Sequence, residues 1–268
     1  MCKCLLHFKL APLLSSPLLS SAPLCSPLLD LLSSPLLFSS ILFLFPFLSS
    51  LLLSASYVCS KMWSLLFIGL CDPRVTAIES WMGDGRTYVF NAANFWRLND
   101  FKNESDRGYP RNIPSKWKGV PEDVDEVFLW GHNWKTYFFK GNQYYKYDDY
   151  RDRIDSSYPI PISQGWPGLP KDGIDAAFTW INHVSYFFKG DNVYKYDNVN
   201  DQVASGYPKL IANEWPGIPN NIDSAFRRYY DNTTYFFKDE YYWKWDDTNS
   251  QVIGPRLIDN DWKNICNV

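Results

Sequence analysis

Histidine is scarce in this chain of 268 residues, which has only three: His7, His132 and His183. A helix-borne catalytic zinc site needs two histidines four residues apart, a glutamate beside the first, and a third histidine elsewhere. The three histidines have no such spacing, so one chain cannot assemble that site. The sequence therefore predicts no zinc and no hydrolytic zinc centre in this chain.

The chain also lacks an excess of positive charge. It has 26 Lys and Arg against 29 Asp and Glu, a formal net charge of −3. A domain that binds nucleic acid usually presents a basic face and has a high isoelectric point. We therefore expect no nucleic-acid partner.

The first seventy residues have very few charged side chains, and they contain no glycine before Gly69. Leu, Ser and Pro dominate, and the only ionic side chains are Lys3, Lys9, Asp30 and Lys61. This low-complexity composition matches no packed fold. We therefore treat residues 1–70 as a tail and expect the folded domain in residues 71–268.

Three interpretations of this tail stay open. Residues 41–53 (ILFLFPFLSSLLL) and the small residues after them are similar to a signal peptide, although they lie deep in the chain and follow no compact basic start. A membrane anchor fits by length but is weakened by Pro46 and the serines. The third interpretation is a disordered segment or sequence that is not genuinely coding, with Met62 as a start. Secretion is favoured over an anchor.

What the chain does contain is a repeat. The stretch Tyr137–Asp148 (YFFKGNQYYKYD) recurs 49 residues later at Tyr186–Asp197 and again at Tyr235–Asp246. A divergent copy, Tyr88–Asn99, lies 49 residues earlier. Four copies at one period indicate a repeat architecture.

Each repeat predicts four short strands. A short first strand opens the unit. An aromatic hairpin follows, with turns such as Gly141-Asn142 and Gly190-Asp191. In the third strand, which is the second arm of this hairpin, aromatic residues alternate with a lysine or arginine that points to the opposite face. A fourth, weaker strand precedes the Tyr-Pro motif of each unit (Gly-Pro in the last), and a short helical or loop stretch ends the unit at Trp117, Trp166, Trp215 and Trp262. About 49 residues and four strands per unit predict an all-β fold, a four-bladed β-propeller.

Two cysteines bracket the repeats, Cys71 just before the first and Cys266 just after the last. Their positions suggest a disulfide clasp across the seam of a closed ring, which implies an oxidising compartment. The alternative is two unrelated free thiols.

The motif set resembles hemopexin repeats. It comprises Asp-Ala-Ala-Phe, Tyr-Phe-Phe-Lys-Gly, Gly-Tyr-Pro and Trp-Pro-Gly-hydrophobic-Pro, without the Gly-Gly doublet of kelch repeats. Cys71-Asp72-Pro73 and Cys266 are similar to the ends of the hemopexin-like domain of matrix metalloproteinases. The resemblance implies a four-bladed propeller with a Cys71–Cys266 disulfide. The departures are Thr76 in place of an acid and Asp239-Glu240 in place of a glycine turn.

The resemblance also implies structural calcium in a central channel. Calcium takes several oxygen ligands, and in this family backbone carbonyls at the start of each first strand hold such ions. Carried over, the first layer is Thr76, Asp125, Asp175 and Asp223, and the second is Ile78, Val127, Ala177 and Ala225. The alternative is that the aspartates only cap local turns.

Two further kinds of site are expected. Asn103-Glu104-Ser105 and Asn232-Thr233-Thr234 are glycosylation sequons, which matter only in a secreted protein. His132 and His183 precede the Tyr-Phe-Phe strands, where haem ligation competes with the favoured interpretation of exposed turn histidines.

The resulting hypothesis is a secreted, extracellular protein-binding module without a catalytic domain. The resemblance implies collagen or other matrix proteins, tissue inhibitors of metalloproteinases, or a second propeller in a homodimer as partners. One alternative is a C-terminal fragment of a full zinc metalloendopeptidase. The other is a haem-binding carrier of the hemopexin type.

Overall fold

The computed structural model describes residues 75–229 and 231–265. The predictions made for residues 1–70, and for Cys71 and Cys266, lie outside the described residues. Within the described ranges, no helix has both the length and the apolar character needed to cross a membrane.

Strands dominate the described residues and form four antiparallel sheets, one per repeat, which we number as blades 1 to 4. Blade 1 contains β1 (Ala77–Trp81), β2 (Arg86–Asn91), β3 (Asn94–Asn99), β4 (Glu104–Ser105) and β5 (Arg111–Asn112). Blade 2 contains β6 (Glu126–Trp130), β7 (Lys135–Lys140), β8 (Gln143–Asp148), β9 (Arg153–Ile154) and β10 (Ile160–Pro161). Blade 3 contains β11 (Ala176–Thr179), β12 (Ser185–Lys189), β13 (Asn192–Asp197), β14 (Gln202–Val203) and β15 (Lys209–Leu210). Blade 4 contains β16 (Ser224–Arg228), β17 (Thr233–Lys238), β18 (Tyr241–Asp246) and β19 (Gln251–Leu257).

The four first strands surround one axis. Strand β1 contacts β6, β6 contacts β11, β11 contacts β16, and β16 contacts β1, so the ring is closed. The predicted four-bladed β-propeller is therefore confirmed, with the first strands lining a central channel.

Aromatic side chains fill the space between blades. Four core clusters each join two neighbouring blades, and each contains one of the buried tryptophans that end the repeats: Trp117, Trp166, Trp215 and Trp262. Three short helices precede the last three of these, α1 (Ile162–Gly165), α2 (Ile211–Glu214) and α3 (Ile258–Asp261), and a 3-10 turn at Ile113–Ser115 precedes the first. A single sheet cannot cover both of its faces, so each blade depends on its neighbours for burial.

The hairpins between second and third strands use left-handed backbone at one position in every blade. Gly141 and Gly190 adopt φ of 54° and 61°, and glycine has no steric cost there. Ala92 and Asp239 adopt φ of 50° and 52° at the same point of blades 1 and 4. The two weaker turn sequences therefore form the same turn at some cost in strain.

The outermost strand differs from the prediction in three blades. In blades 1 to 3 it is split into two segments of two residues, for example β9 and β10, on either side of the Tyr-Pro dipeptide. In blade 4 it is continuous, as β19, with a register shift opposite Tyr242 and Lys244. Proline has no N–H for a ladder, which confines it to sheet edges such as these.

Candidate functional site

One end of the central channel opens into an acidic cavity of about 400 Å³, which we call the entrance cavity. The first-layer residues predicted from the sequence all line it: Thr76, Asp125, Asp175 and Asp223. Each stands just before its first strand begins, so the closed ring brings the four positions together.

The aspartate side chains at this cavity cap turns. Asp125 accepts a hydrogen bond from the Gly141 N–H at 2.6 Å, and Asp175 accepts one from the Gly190 N–H at 2.7 Å. In blade 4, the Asp223 side chain accepts a hydrogen bond from the Asp239 N–H at 2.6 Å. Thr76 differs, since its hydroxyl donates to the Phe90 carbonyl at 2.8 Å. The three aspartate side chains therefore cap turns, and the calcium site at the backbone carbonyls stays a prediction.

Three polar residues at the entrance cavity were missed from the sequence. Asp123, Asp172 and Asn221 also line it. Each precedes a first-layer aspartate by two or three residues, so the repeat itself contained the signal. Five aspartates and one lysine, Lys189, line the cavity. Lys140 pairs with Asp123 and Asp125, and Lys189 pairs with Asp175, so the charge that remains at the cavity is negative and favours cations.

The second-layer residues Ile78, Val127, Ala177 and Ala225 are buried inside the first strands. Next to them lie two carboxylates that the sequence did not single out. Glu79 is buried and accepts hydrogen bonds from the backbone N–H groups of Ser80 at 2.7 Å and Leu129 at 3.0 Å. Burial raises the pKa of Glu79 to about 8.

Glu126 extends across the channel. Its carboxylate accepts a hydrogen bond from the Ser224 hydroxyl of blade 4 at 2.8 Å and from the Val127 N–H at 3.1 Å. Burial raises its pKa well above the usual value, and the charge of Glu79 adds to the effect. Ala77, Ala176 and Ser224 hold the equivalent place in the other blades. A single substitution in the repeat therefore puts a side chain across the axis.

The opposite end of the channel is apolar. The four turns between first and second strands each expose one large apolar residue, and we call this set the aromatic face: Met82 (54% exposed), Trp134 (39%), Ile181 (40%) and Tyr229 (39%). Three of them, Met82, Trp134 and Tyr229, line a cavity of about 250 Å³ together with Asp100 and Arg228. The two ends of the channel therefore differ in chemistry, one acidic and the other aromatic.

The two described histidines lie near the aromatic face. His132 and His183 are exposed and belong to the inner turns of blades 2 and 3. The His132 ring packs against Trp130, with centroids 5.0 Å apart, and that of His183 against Trp134 at 5.1 Å. Within residues 75–229 and 231–265, no three His, Cys, Asp or Glu side chains are placed to share a metal ion. The haem hypothesis stays a prediction.

The seam between blades 4 and 1 has its own contact. At the other three seams a tryptophan indole N–H donates to the next blade: Trp81 to Asp149, Trp130 to Asn198 and Trp180 to Asp247, at 2.7–2.9 Å. Blade 4 has Arg228 at that position, buried and bonded to Asp231, Tyr235 and Asn103 of blade 1. Nothing in the sequence pattern marked Arg228 as a seam residue.

The ends of the described chain meet at this same seam. Val75 and Ile265 are both buried in the core cluster that joins blades 4 and 1. The Ser105 N–H donates to the Lys263 carbonyl at 3.0 Å, which matches the Ile154 to Lys118 contact between blades 1 and 2. The seam between blades 4 and 1 therefore has the same type of backbone hydrogen bond as the seam between blades 1 and 2. The Cys71–Cys266 disulfide stays a prediction.

A family profile described as Hemopexin matches residues 76–122, 124–171, 174–220 and 222–265, one stretch for each blade. Among curated relatives, matrix metalloproteinase-25 of Homo sapiens is 38% identical over 53 residues, which are 20% of this chain and 9% of the relative. Interstitial collagenase of Equus caballus is 41% identical over 44 residues (16% and 9%), and vitronectin of Sus scrofa is 44% identical over 41 residues (15% and 8%). These matches span less than a tenth of each relative's length.

Solved structures share the architecture. The hemopexin fold protein CP4 from cow pea aligns with a TM-score of 0.58 at 22% identity, covering 71% of this chain and 96% of that one. LS24, a seed albumin from Lathyrus sativus, aligns with a TM-score of 0.59 at 23% identity, covering 71% and 95%. At such identities the likeness shows the fold alone.

Proposed function

Because the chain belongs to the hemopexin family, we propose that its propeller is an extracellular module that binds other proteins through the aromatic face. The observation that carries this proposal is the set of four exposed apolar residues around one end of the channel. Contiguous exposed apolar surface on a soluble domain typically marks a binding site. Aromatic residues and methionine are also the types enriched at protein interfaces.

The left-handed backbone of Trp134, with φ of 57°, belongs to the turn between first and second strands. Gly85 and Asn232 adopt φ of 69° and 53° at the same place in blades 1 and 4, just before the second strand. A bulky residue is an outlier there, so blade 2 forms this turn at some cost in strain, with Trp134 partly exposed.

The names of the relatives indicate the class of partner. Two are matrix metalloproteinases or collagenases by name and one is vitronectin. We infer extracellular matrix proteins such as collagen as the first candidates, with tissue inhibitors of metalloproteinases and a second propeller as the others. Secretion follows as part of this proposal.

Replacing Trp134 by asparagine is expected to weaken binding of the full chain to immobilised collagen by at least about tenfold, the usual effect at an interface hot spot. Asparagine tolerates the left-handed backbone of this position, so we expect the melting temperature to stay within a few degrees of wild type. The measurement is surface-based binding beside a thermal melt.

The matched control is Tyr241→Asn. Tyr241 is 37% exposed, close to the value for Trp134. It begins β18 next to the Asp239-Glu240 turn, at the entrance-cavity end of blade 4, so its replacement should leave collagen binding unchanged. Wild-type binding by Trp134→Asn would show that the aromatic face is not the interface.

We propose calcium at the entrance cavity, held by the backbone carbonyls of Thr76, Asp125, Asp175 and Asp223. The converging strand starts and the acidic lining support it. An ion that binds only the folded state raises stability, by about 2.7 kcal/mol at 100 times its dissociation constant. Millimolar calcium should therefore raise the melting temperature of chelator-treated protein by several degrees.

Magnesium is the control for this measurement. It demands a near-ideal octahedral geometry and dehydrates reluctantly, so it should produce a smaller shift than calcium. Identical melting curves in calcium and in chelator would rule out the site.

A second candidate is that this propeller is one part of a larger zinc metalloendopeptidase. The observation in its favour is that named metalloproteinases match it over less than a tenth of their length. Sequencing transcripts upstream of Cys71 tests it, since a His-Glu-x-x-His motif there supports the enzyme.

A further inference from the structure

The two glycosylation sequons of this chain have different structural surroundings. Asn103 lies at the seam between blades 4 and 1, whereas Asn232 lies in the turn between β16 and β17, beside the aromatic face. Both residues have left-handed backbone, with φ of 50° and 53°. Sequence alone treats them as equivalent acceptors.

Asn103 is built into the closing seam of the ring. Its side-chain oxygen accepts a hydrogen bond from the guanidinium of Arg228, which is only 7% exposed. Its backbone carbonyl accepts a bond from the Lys263 N–H at 2.7 Å, and the third sequon residue, Ser105, donates to Lys263 in return. The Asn103 amide nitrogen is bonded to the same carbon as this oxygen, so it also lies at the seam. Asn103 is partly buried, which leaves less room for a branched sugar than an exposed residue has.

Asn232 is free of such constraints. It is exposed, and its side-chain oxygen accepts a hydrogen bond from Arg227 at 3.0 Å. That bond orients the amide group, and no hydrogen bond from its nitrogen is found within the described residues. Exposed loops are where N-linked glycans are accommodated.

We propose that this chain carries its N-linked glycan on Asn232 and not on Asn103, and that the glycan shields the blade 4 side of the aromatic face. In the transfer, the amide nitrogen bonds to the anomeric carbon of a lipid-pyrophosphate-linked oligosaccharide. The nitrogen loses one proton, and the lipid pyrophosphate leaves.

The shielding follows from the position of Arg227. Its guanidinium bonds Asn232 on one side and lies over the Tyr229 ring on the other, 5.4 Å from the ring centroid. A glycan attached to Asn232 is therefore separated from Tyr229 only by the Arg227 side chain. Partners then reach the aromatic face from blades 1 to 3, through Met82, Trp134 and Ile181; this last step rests on the proposed function.

The test expresses the full chain behind an added cleavable secretion signal and measures its intact mass before and after peptide-N-glycosidase F. We expect wild type to lose one glycan, Asn232→Asp to lose none, and Ser105→Ala to behave as wild type. Asn232→Asp keeps the oxygen that Arg227 bonds. Ser105→Ala removes the first sequon while leaving the Asn103 side chain in place.

Shielding is measured without any partner, by hydroxyl-radical footprinting. Oxidation of Tyr229 should rise at least twofold in Asn232→Asp relative to wild type, while oxidation of Trp134 stays constant. A glycan on Asn103, no glycan on wild type, or equal oxidation of Tyr229 in both proteins would overturn the proposal. These readouts are independent of collagen binding, so failure of the proposed function is distinguished from failure here.

Discussion

Replacing Arg228 by alanine is expected to lower the free energy of unfolding by about 1.5–3 kcal/mol, because Asn103 and Tyr235 lose a buried charged donor and Asp231, whose side chain is 28% exposed, loses its cation. Arg228 is buried, and its guanidinium bonds Asp231, Tyr235 and Asn103. It also lies over the rings of Tyr235 and Trp262, at 4.8 and 5.6 Å from their centroids. Alanine leaves the carboxylate of Asp231 without its cation and the seam without its cross-blade bond.

Denaturant unfolding of the full chain measures this effect. The matched control is Arg256→Ala, which removes an ion pair with Asp261 from an arginine whose side chain is about half exposed, and exposed pairs contribute at most about 1 kcal/mol. If Arg228→Ala lowered the free energy of unfolding no more than Arg256→Ala does, Arg228 would not stabilise the seam between blades 4 and 1.

Replacing Glu79 by glutamine is expected to stabilise the protein at alkaline pH and to leave it unchanged near pH 4.5. Burial raises the pKa of Glu79 from about 4.5 in the unfolded chain to about 8 in the folded one. Between these values the unfolded chain has released the proton that the folded protein retains, so stability falls as pH rises. Above pH 8 the cost levels off, on the order of 5 kcal/mol in total.

The measurement is the free energy of unfolding from pH 5 to pH 9 in the presence of a chelator, which keeps cations out of the channel. Glutamine cannot ionise, so the variant should lack this part of the slope. Glu126 keeps its own contribution of the same sign, because its pKa is also raised. Glu122→Gln, at an exposed position, is the control and should follow wild type. Parallel curves for Glu79→Gln and wild type would contradict the prediction.

Much of the architecture was predictable because the repeat encodes it locally. The aromatic hairpin at Tyr137–Asp148 and its copies contain β-forming residues around a turn, so each sheet follows from its own stretch of chain. The tryptophan at the end of each unit was also predictable as a core residue. The split outer strand was not, because edge pairing depends on a few weak bonds near a proline.

The candidate sites divide in the same way. The first-layer positions, including Thr76, were found by their place in the repeat, and the structure brings all four to the entrance cavity. Glu126 and Arg228 were missed because each departs from the repeat in only one copy. Their importance depends on partners 98 and 125 residues away, Ser224 and Asn103, and no local pattern contains such distances.

The sequence by itself determined that this chain has four equivalent aromatic units, too small to be stable alone, which must stack to bury their faces. Only the tertiary structure decided what lies at the two ends of the channel and how the ring closes. The reason is physical: periodicity reports which residues a strand buries, whereas a cavity, an exposed face or a cross-ring hydrogen bond exists only after distant units have met. The acidic entrance cavity, the aromatic face and the Arg228 contacts at the seam therefore form only when the four repeats pack together.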